Sequence, residues 1–353
     1  MVKLFIYLGL GLVFVLVVYL FASKIYRMNN TFDWLATECA PKAYPTYLVK
    51  GDLIYAAGDS LYVPDHRDVY NGWGVSGSTH VVGDQFKPLP VQLELTWFSY
   101  TEDKFYTGKF ELPANKLLEL FRAGTAAPDD ENGTNPGKRW RFDRIIVGMA
   151  PGGDISVWAG AVRVVKEVAT YRAHPADLPW ELVLKNPSIT RAEWIVDTLN
   201  RCLPPEVLKQ VKSLPVPVGR WALFAKRFPW APVLHAGLAG RDLWIKGLNG
   251  EVEWLDLTGT RKDVDLPPAT RGAPREFTLY WSTAEGDNLK AIITLDEDES
   301  MAAFDKLSGI QSPEPLTLLL DPAGTGDTVD VFLQRGKSLY RFERTVVKVY
   351  SVR

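Results

Sequence analysis

An internal repeat is the feature that most restricts how this chain of 353 residues can fold. The stretch "LTWFSYTEDKFYTGKFELPANKLLELF" is typical of a strand, a polar turn, a return strand and a helix, and "LYWSTAEGDNLKAIITLDEDESMAAF" follows the same plan further along the chain. Two apolar runs around a Pro- and Gly-rich turn follow each copy. Two strand–strand–helix–strand–strand units are the simplest account, since a repeated spacing of elements indicates duplication of one structural unit. The matching residues are Trp97 with Trp281, Leu112 with Leu295, and Phe121 with Phe304.

Each unit has one predicted helix with an apolar face. In the first, Leu117 and Phe121 lie on one side of the segment that begins at "LPANK" and ends before a glycine. In the second, Asp296 is the predicted N-cap, and Met301 and Phe304 supply the apolar face. We therefore expect each helix to pack on an antiparallel sheet with these side chains buried.

The turn "MAPGGDI" raises the question of a phosphate-binding loop. Such a loop requires a helix after the glycines, whose free N–H groups face the anion. The residues that follow here, "ISVW", are β-branched or aromatic and alternate, so they predict a strand. The second copy keeps the apolar runs and changes the turn to "DPAGTGD", which suits a hairpin that needs positive φ at one or two positions. The sequence therefore predicts a hairpin at residues 151–154.

An uncharged apolar run occupies residues 4–22, "LFIYLGLGLVFVLVVYLFA". As a helix it would extend roughly 28 Å, close to the thickness of a bilayer core. No good cleavage site follows, so the run predicts an uncleaved transmembrane anchor in the bacterial inner membrane, with the body in the periplasm.

A helical bridge separates the two units. "SITRAEWIVDTLNRCL" opens with Thr190 and Glu193 at capping-box spacing, and "PPEVLKQVKSL" follows with prolines suited to a new helix start. The predicted fold class is α+β, with an N-terminal transmembrane helix followed by two duplicated antiparallel-sheet-plus-helix domains. The predicted boundaries are 1–30 for the anchor and its flank, 31–175 for the first domain, 176–218 for a helical linker and 219–353 for the second domain.

Composition and chemical motifs give no catalytic assignment. The net charge of −2 does not favour a nucleic-acid partner. The four histidines are scattered, and "GWGVSGSTH" at residues 72–80 lacks the Gly-x-Ser-x-Gly pattern of a serine nucleophile near His80. Cys39 and Cys202 could form one disulfide in an exported protein, or could be two unrelated buried residues. We predict no catalytic residue, no cofactor and no metal site.

The first unit resembles an uncharacterised bacterial family, domain-of-unknown-function family 2931. The resemblance rests on the Trp-bearing strand, on "DKFYTGKF", on the "LP" helix start and on the "IIVGMAPGGDISVW" hairpin, and it covers roughly residues 90–170. Some members of that family accompany phospholipase effectors of the type VI secretion system as immunity proteins. The resemblance therefore implies a non-enzymatic protein that binds and neutralises a cognate lipase-like toxin.

Loops are the predicted contacts for that partner, because loops vary with little damage to a fold and often carry recognition. The first unit has an insertion with three acidic residues in a row, which could attract a basic patch on the toxin. A scaffold protein with no toxin partner, and an enzyme whose site forms only on folding, remain alternative functions. The candidate contact residues are Asp129, Asp130, Glu131, Pro151, Gly152, Gly153, Asp154, Gly324, Gly326 and Asp327.

Overall fold

Alternating apolar residues build most of this protein as β-strands. The computed structural model describes residues 30–128, 137, 139–234, 239–258, 268–283, 286–322 and 328–352. The first half contains β1 Thr31–Asp33, β2 Leu35–Cys39, β3 Thr46–Ile54, β4 Ser60–Tyr62, β5 Arg67–Val69, β6 Phe86–Pro88, β7 Gln92–Ser99, β8 Lys104–Glu111, α1 Ala114–Ala123, β9 Thr125–Ala126, β10 Arg139–Trp140, β11 Arg144–Met149, β12 Asp154–Gly160, β13 Val165–Arg172 and β14 His174–Ala176. Short 3-10 turns lie at Pro151–Gly153 and Trp180–Leu182.

Three helices connect the halves, and ten further strands with one helix complete the described chain. The connecting helices are α2 Arg191–Cys202, α3 Pro205–Ser213 and α4 Arg220–Phe224. The second half contains β15 Arg227–Leu234, β16 Ala239–Gly247, β17 Val252–Asp256, β18 Ala269–Gly272, β19 Pro274–Ser282, β20 Asn288–Leu295, α5 Glu297–Ser308, β21 Leu316–Pro322, β22 Val329–Arg335, β23 Ser338–Arg341 and β24 Thr345–Ser351.

The same strand order appears in both halves. The order β14–β8–β7–β3–β4 in the first half corresponds to β24–β20–β19–β16–β17 in the second, and β2–β11–β12–β13 corresponds to β15–β21–β22–β23. In each half the second group contains one parallel pair, β2 with β11 and β15 with β21. We refer to the two halves as the first unit and the second unit.

One sheet runs through both units. Its nine strands follow the order β2–β11–β12–β13–β17–β16–β19–β20–β24, so β13 of the first unit pairs with β17 of the second. That pairing is brief, since Val165 opposite Val252 is the single register pair between the two strands. The two units therefore share one sheet, but the backbone pairing that joins them within it is short.

The predicted fold class is wrong and requires correction. The structure is mostly β, with 47% strand and 19% helix, because each helix covers only one stripe of a core built between sheets. No helix among the described residues is long and apolar enough to cross a membrane, and the apolar run at residues 4–22 lies outside those residues. The predictions of a transmembrane helix and of a single-pass inner-membrane protein are therefore not supported.

The predicted helix faces are confirmed. Leu117 and Phe121 of α1 are buried in the core of the first unit, and Met301 and Phe304 of α5 are buried in the core of the second. The caps also form as predicted: the Asp296 side chain accepts a hydrogen bond from Glu299 N, and a full capping box opens α2. Amphipathic periodicity and capping residues therefore located these helices correctly.

A third apolar cluster explains where the connecting helices lie. Leu199 and Leu203, with Trp194 packed against the cluster, meet Phe98 and Phe105 at the ends of β7 and β8. The predicted linker thus packs on the outer face of the first unit's sheet.

The two units approach each other closely where two turns meet. A Cβ atom on Gly74 would lie 2.4 Å from the carbonyl oxygen of Gly250, and both glycines have positive φ. Beside them Trp158 donates its indole N–H to Asn249 O at 3.0 Å and packs edge-on against Trp73. Only glycine fits this approach, since any larger residue would push the turns apart.

Candidate functional site

A cavity of about 280 Å³ lies between the two units, next to the contact of β13 with β17. The first unit contributes α1 and β13, and the second contributes β15, β16, β17, β18 and the turn between β16 and β17. Its volume approaches the lower end of the range seen for small-molecule sites. We call this space the junction cavity.

Four polar side chains form a network at the base of the junction cavity. Arg227 Nη2 lies 3.2 Å from Glu167 Oε2 and 2.9 Å from Glu251 Oε1. Asn249 Nδ2 donates to Glu251 Oε2 at 3.1 Å and reaches Glu167 Oε2 at 3.5 Å. One guanidinium and one carboxamide thus bridge two carboxylates from different units, of which Glu167 is buried and Glu251 half-buried.

The other hydrogen bonds that the two carboxylates accept also come from groups of the protein. Glu251 Oε1 accepts a hydrogen bond from the backbone N of Glu167 at 2.9 Å, and Glu167 Oε1 accepts one from Ser156 Oγ at 3.4 Å. All four carboxylate oxygens therefore accept hydrogen bonds from the protein. This arrangement is typical of an electrostatic network that holds the two units together. It is less typical of a catalytic acid and base, whose carboxyl groups would be directed at a substrate.

Local backbone irregularities place these residues. The register between β12 and β13 shifts between Val157 and Trp158, so that Glu167 and Val168 are both buried although they are consecutive. Such a β-bulge re-aims a side chain that would otherwise face the opposite side of the sheet. Asn249 has room because Gly247 and Gly272 have no side chains. A Cβ on either glycine would come within 2.8 Å or less of the Asn249 Oδ1 atom.

The two carboxyl groups of the network have pKa values shifted in opposite directions. Burial, reinforced by the negative charge of Glu251, raises the pKa of Glu167 to about 7. Burial also opposes the charged form of Glu251, but the hydrogen bond and charge of Arg227 outweigh it and lower the pKa of that carboxyl below its usual value. At neutral pH Glu251 is therefore ionised, whereas Glu167 is close to the midpoint between its protonated and ionised forms.

The rim of the junction cavity is rich in cations. Arg271 pairs with Glu253 at 2.6 Å, and Lys166 lies 3.5 Å from the same carboxylate. Lys116 of α1 donates to the carbonyl oxygen of Val168 at 2.8 Å. Four cationic and three carboxylate side chains line the cavity in all, which gives it a net positive charge.

The predicted turn at residues 151–154 is a hairpin between β11 and β12, as expected, and both of its glycines have positive φ. It is largely covered, however. Asp154 is buried, pairs with Arg172 at 2.9 Å and accepts a hydrogen bond from Ala222 N of α4 at 3.1 Å. The carboxylate of Glu102 accepts the N–H of Gly152. Pro151 and Gly153 are buried, so the turn acts as a docking point for α4.

The other predicted partner contacts lie outside the described residues. This holds for the acidic triplet Asp129, Asp130 and Glu131, and for Gly324, Gly326 and Asp327 in the second unit. They stay predictions.

Cys39 and Cys202 are both free thiols, so they do not form the disulfide that one alternative allowed. They belong to different apolar clusters, Cys39 beside the core of the second unit and Cys202 under the connecting helices. Burial raises the pKa of Cys39 to about 12. Among the residues that the structure describes, no group of His, Cys, Asp and Glu is placed to hold a metal ion.

A long ordered loop at residues 70–85 forms a second feature of interest. Buried Glu38 holds it: Glu38 Oε1 accepts from Ser78 N at 2.9 Å, and Glu38 O accepts from Gly77 N at 3.0 Å. Ser78 Oγ accepts from Arg67, and His80 Nδ1 instead faces Tyr62 OH at 2.8 Å. The serine and histidine of "GWGVSGSTH" therefore have different partners.

Large apolar side chains are exposed on and beside this loop. Val81 is 89% exposed and Phe86 is 58% exposed. The full set, which we call the 62–86 surface, is Tyr62, Tyr70, Val75, Val81 and Phe86.

Sequence reasoning missed the junction network. Glu167 and Arg227 each follow a lysine in an otherwise apolar stretch, and the whole helical bridge separates them. The one local signal was the Asn249-Gly250 pair, which is typical of a tight hairpin turn. Nothing in the sequence showed that this turn would meet the first unit.

Comparison with known proteins gives a family match for the first unit and the helical bridge. A family model described as "Protein of unknown function (DUF2931)" matches residues 22–219, more than half of the chain. The chain therefore belongs to this family. Neither the curated proteins nor the solved structures contain a significant match. The match ends before β15, so the junction cavity combines residues inside it with residues beyond it.

Proposed function

We propose that this member of the family is a binding protein that neutralises a lipid-attacking toxin by covering it, and that the 62–86 surface is the main contact. The observation that carries the proposal is the exposure of five large apolar side chains within residues 62–86. Three of them lie on the loop at residues 70–85, one on β4 and one on β6. Exposed apolar and aromatic side chains that are grouped on a surface are typical of protein interfaces.

The loop is well suited to recognition because it is held in place before any partner arrives. Its backbone hydrogen bonds go to Glu38 and Thr37 of β2, which lie on the central sheet. A loop longer than about 12 residues without regular structure is uncommon in a compact protein and is often functional. Because it is already ordered, little conformational entropy is lost on binding, which favours affinity.

The class of partner comes from the family resemblance, which implies a phospholipase-type toxin of the type VI secretion system. Inhibition by surface coverage needs complementary shape and a few apolar anchors rather than catalytic groups at fixed spacing. The 62–86 surface supplies such anchors. The acidic triplet Asp129, Asp130 and Glu131 stays a predicted contribution to the association rate.

The test uses the purified chain and a phospholipase-type toxin encoded beside it. Calorimetry gives the dissociation constant, and growth of cells that express the toxin gives protection. Val81→Ser and Phe86→Ser are expected to weaken binding at least tenfold each, or about 1.4 kcal/mol, because the proposal assigns these side chains to the few anchors that dominate an interface. Val162→Ser is the matched control, because Val162 is exposed to the same extent as Phe86, at 59% against 58%, but lies outside the 62–86 surface.

Two results would contradict the proposal. One is the absence of binding and protection with the wild-type chain, which would favour the scaffold alternative. The other is equal affinity of all three variants, which would place the interface elsewhere. Replacing Asp129, Asp130 and Glu131 with serine should slow association at low salt if the triplet contributes.

A further inference from the structure

We propose that the junction cavity is a binding site for the oxyanion group, a carboxylate or a phosphate, of a small molecule. The cavity is distinct from the proposed toxin contact, since no residue of the 62–86 surface is among its described lining residues. Its walls come from both units, so an occupant would touch both at once.

The charges that line the junction cavity favour an anionic ligand over a cationic one. The cationic side chains of the lining outnumber its carboxylates. The carboxylates are already engaged: Glu167 and Glu251 by Arg227, and Glu253 by Arg271 and Lys166. A cationic ligand would have to compete with these internal pairs, whereas an anionic ligand would add to a site with an excess of donors.

Lys116 is the cation best placed to receive the ligand. Within the described part of the chain, its ammonium donates one hydrogen bond, to the carbonyl oxygen of Val168, and forms no ion pair with a carboxylate. An ammonium group has three N–H donors, so two remain. Burial, with a further effect from the charge of Arg227, lowers the pKa of Lys116. An oxyanion beside Lys116 would offset both effects.

Arg227 provides a second set of donors. Both of its carboxylate contacts use the same atom, Nη2. A guanidinium carries five N–H donors in a planar fork that suits carboxylate and phosphate oxygens. The rest of the fork can thus meet a ligand while Nη2 keeps the network closed.

Glu167 gives the site a dependence on pH. The groups that face it are Arg227 from β15, Glu251 from β17, Lys116 from α1, Asn249 from the β16–β17 turn and Ser156 from β12. An incoming anion adds negative charge, which favours the protonated form of Glu167. Binding should therefore take up a proton and strengthen as the pH falls through about 7.

The experiment measures binding of acetate and of sulfate to the full chain by calorimetry and by thermal shift. Neither anion titrates between pH 6 and pH 8, and sulfate represents the tetrahedral phosphate group. Sodium chloride at equal ionic strength is the reference, and methylammonium chloride is the cationic probe. Saturable binding of either anion at pH 6 is expected, weakening by up to about tenfold at pH 8 if only the protonated form of Glu167 binds. Acetate alone would identify a carboxylate ligand, and sulfate alone a phosphate ligand.

Three variants assign the binding to this cavity. Lys116→Ala should weaken it at least tenfold. Lys306→Ala is the matched control, an exposed lysine on α5, the equivalent helix of the second unit, and should leave it unchanged. Glu167→Gln should keep binding but abolish its pH dependence. The proposal is overturned if neither anion exceeds chloride, if methylammonium binds in their place, or if the two lysine variants behave alike.

Discussion

Replacing Glu167 with glutamine is expected to change how the folding stability of the protein depends on pH. Glutamine has nearly the same shape as the protonated glutamic acid and can still accept from Arg227, but it cannot ionise. Glu167 is 6% exposed, so solvent screens its charge little. The variant therefore removes one ionisation from the junction network and leaves its packing in place.

The size and sign of the effect follow from the pKa of Glu167 in the two states. That pKa is about 7 in the folded protein against about 4.5 in the unfolded chain, so the folded state keeps a proton that the unfolded state has lost. The stability contributed by Glu167 is complete below about pH 4.5 and is lost as the pH rises through about 7. One pKa unit corresponds to about 1.4 kcal/mol, so roughly 2.5 kcal/mol of this contribution disappears between pH 5 and pH 8.

Urea unfolding at pH 5, 6, 7 and 8 measures this difference. The stability of Glu167→Gln relative to wild type should rise by about 2.5 kcal/mol across the series, because only the wild type must ionise a buried carboxyl. Glu119→Gln is the matched control: it removes the same formal charge from an exposed position on α1. Wild-type and Glu167→Gln stabilities that stay parallel from pH 5 to pH 8 would refute the reasoning.

Three further predictions concern packing and reactivity. Gly74→Ala should destabilise the fold by at least about 2 kcal/mol, since a Cβ would lie 2.4 Å from a backbone carbonyl oxygen at positive φ. Gly58→Ala, also at positive φ but with nothing within 4 Å, should lose only the backbone strain, about 1 kcal/mol, and equal losses in urea unfolding would contradict the argument. Asp154→Ala should cost about 1–3 kcal/mol because it leaves a backbone N–H of α4 without its acceptor, and unchanged thermal stability would disprove that role. The thiols of Cys39 and Cys202 should react with a thiol reagent at pH 8 only slowly before denaturation, Cys39 the more slowly, whereas immediate reaction of Cys39 would show that it is accessible.

Local patterns in the sequence predicted the parts of the fold that depend on local physics. The apolar spacing in α1 placed Leu117 and Phe121 in the core, and Asp296 capped α5 as its residue type suggested. The Pro-Gly-Gly-Asp turn formed a hairpin because its strands and its positive φ angles are set within a few residues. Each of these features needs information from less than about 15 residues of chain.

The burial of that same hairpin turn could not be predicted from local patterns in the sequence. Its solvent exposure depends on α4, which comes from beyond the helical bridge and docks on Asp154. The prediction that the turn meets a partner rested on the common role of loops in recognition, and it stays a prediction. Here the buried carboxylate of Asp154 satisfies a helix N–H instead, and the turn supports the contact between units.

The contact between units also explains why the charged network lies where it does. The central sheet is continuous through β13 and β17, yet the single register pair given for them leaves little backbone pairing to fix the angle between units. A buried network that needs Arg227 and Glu251 from one unit and Glu167 from the other is satisfied in one arrangement only, because each displaced group would lose a partner in a low-dielectric site. An oxyanion in the junction cavity would add a further bridge across the same contact. Its binding should therefore stiffen the junction, so that hydrogen exchange slows at Val165 and Val252 when acetate or sulfate is present, and unchanged exchange at both amides would separate ligand binding from the alignment of the units.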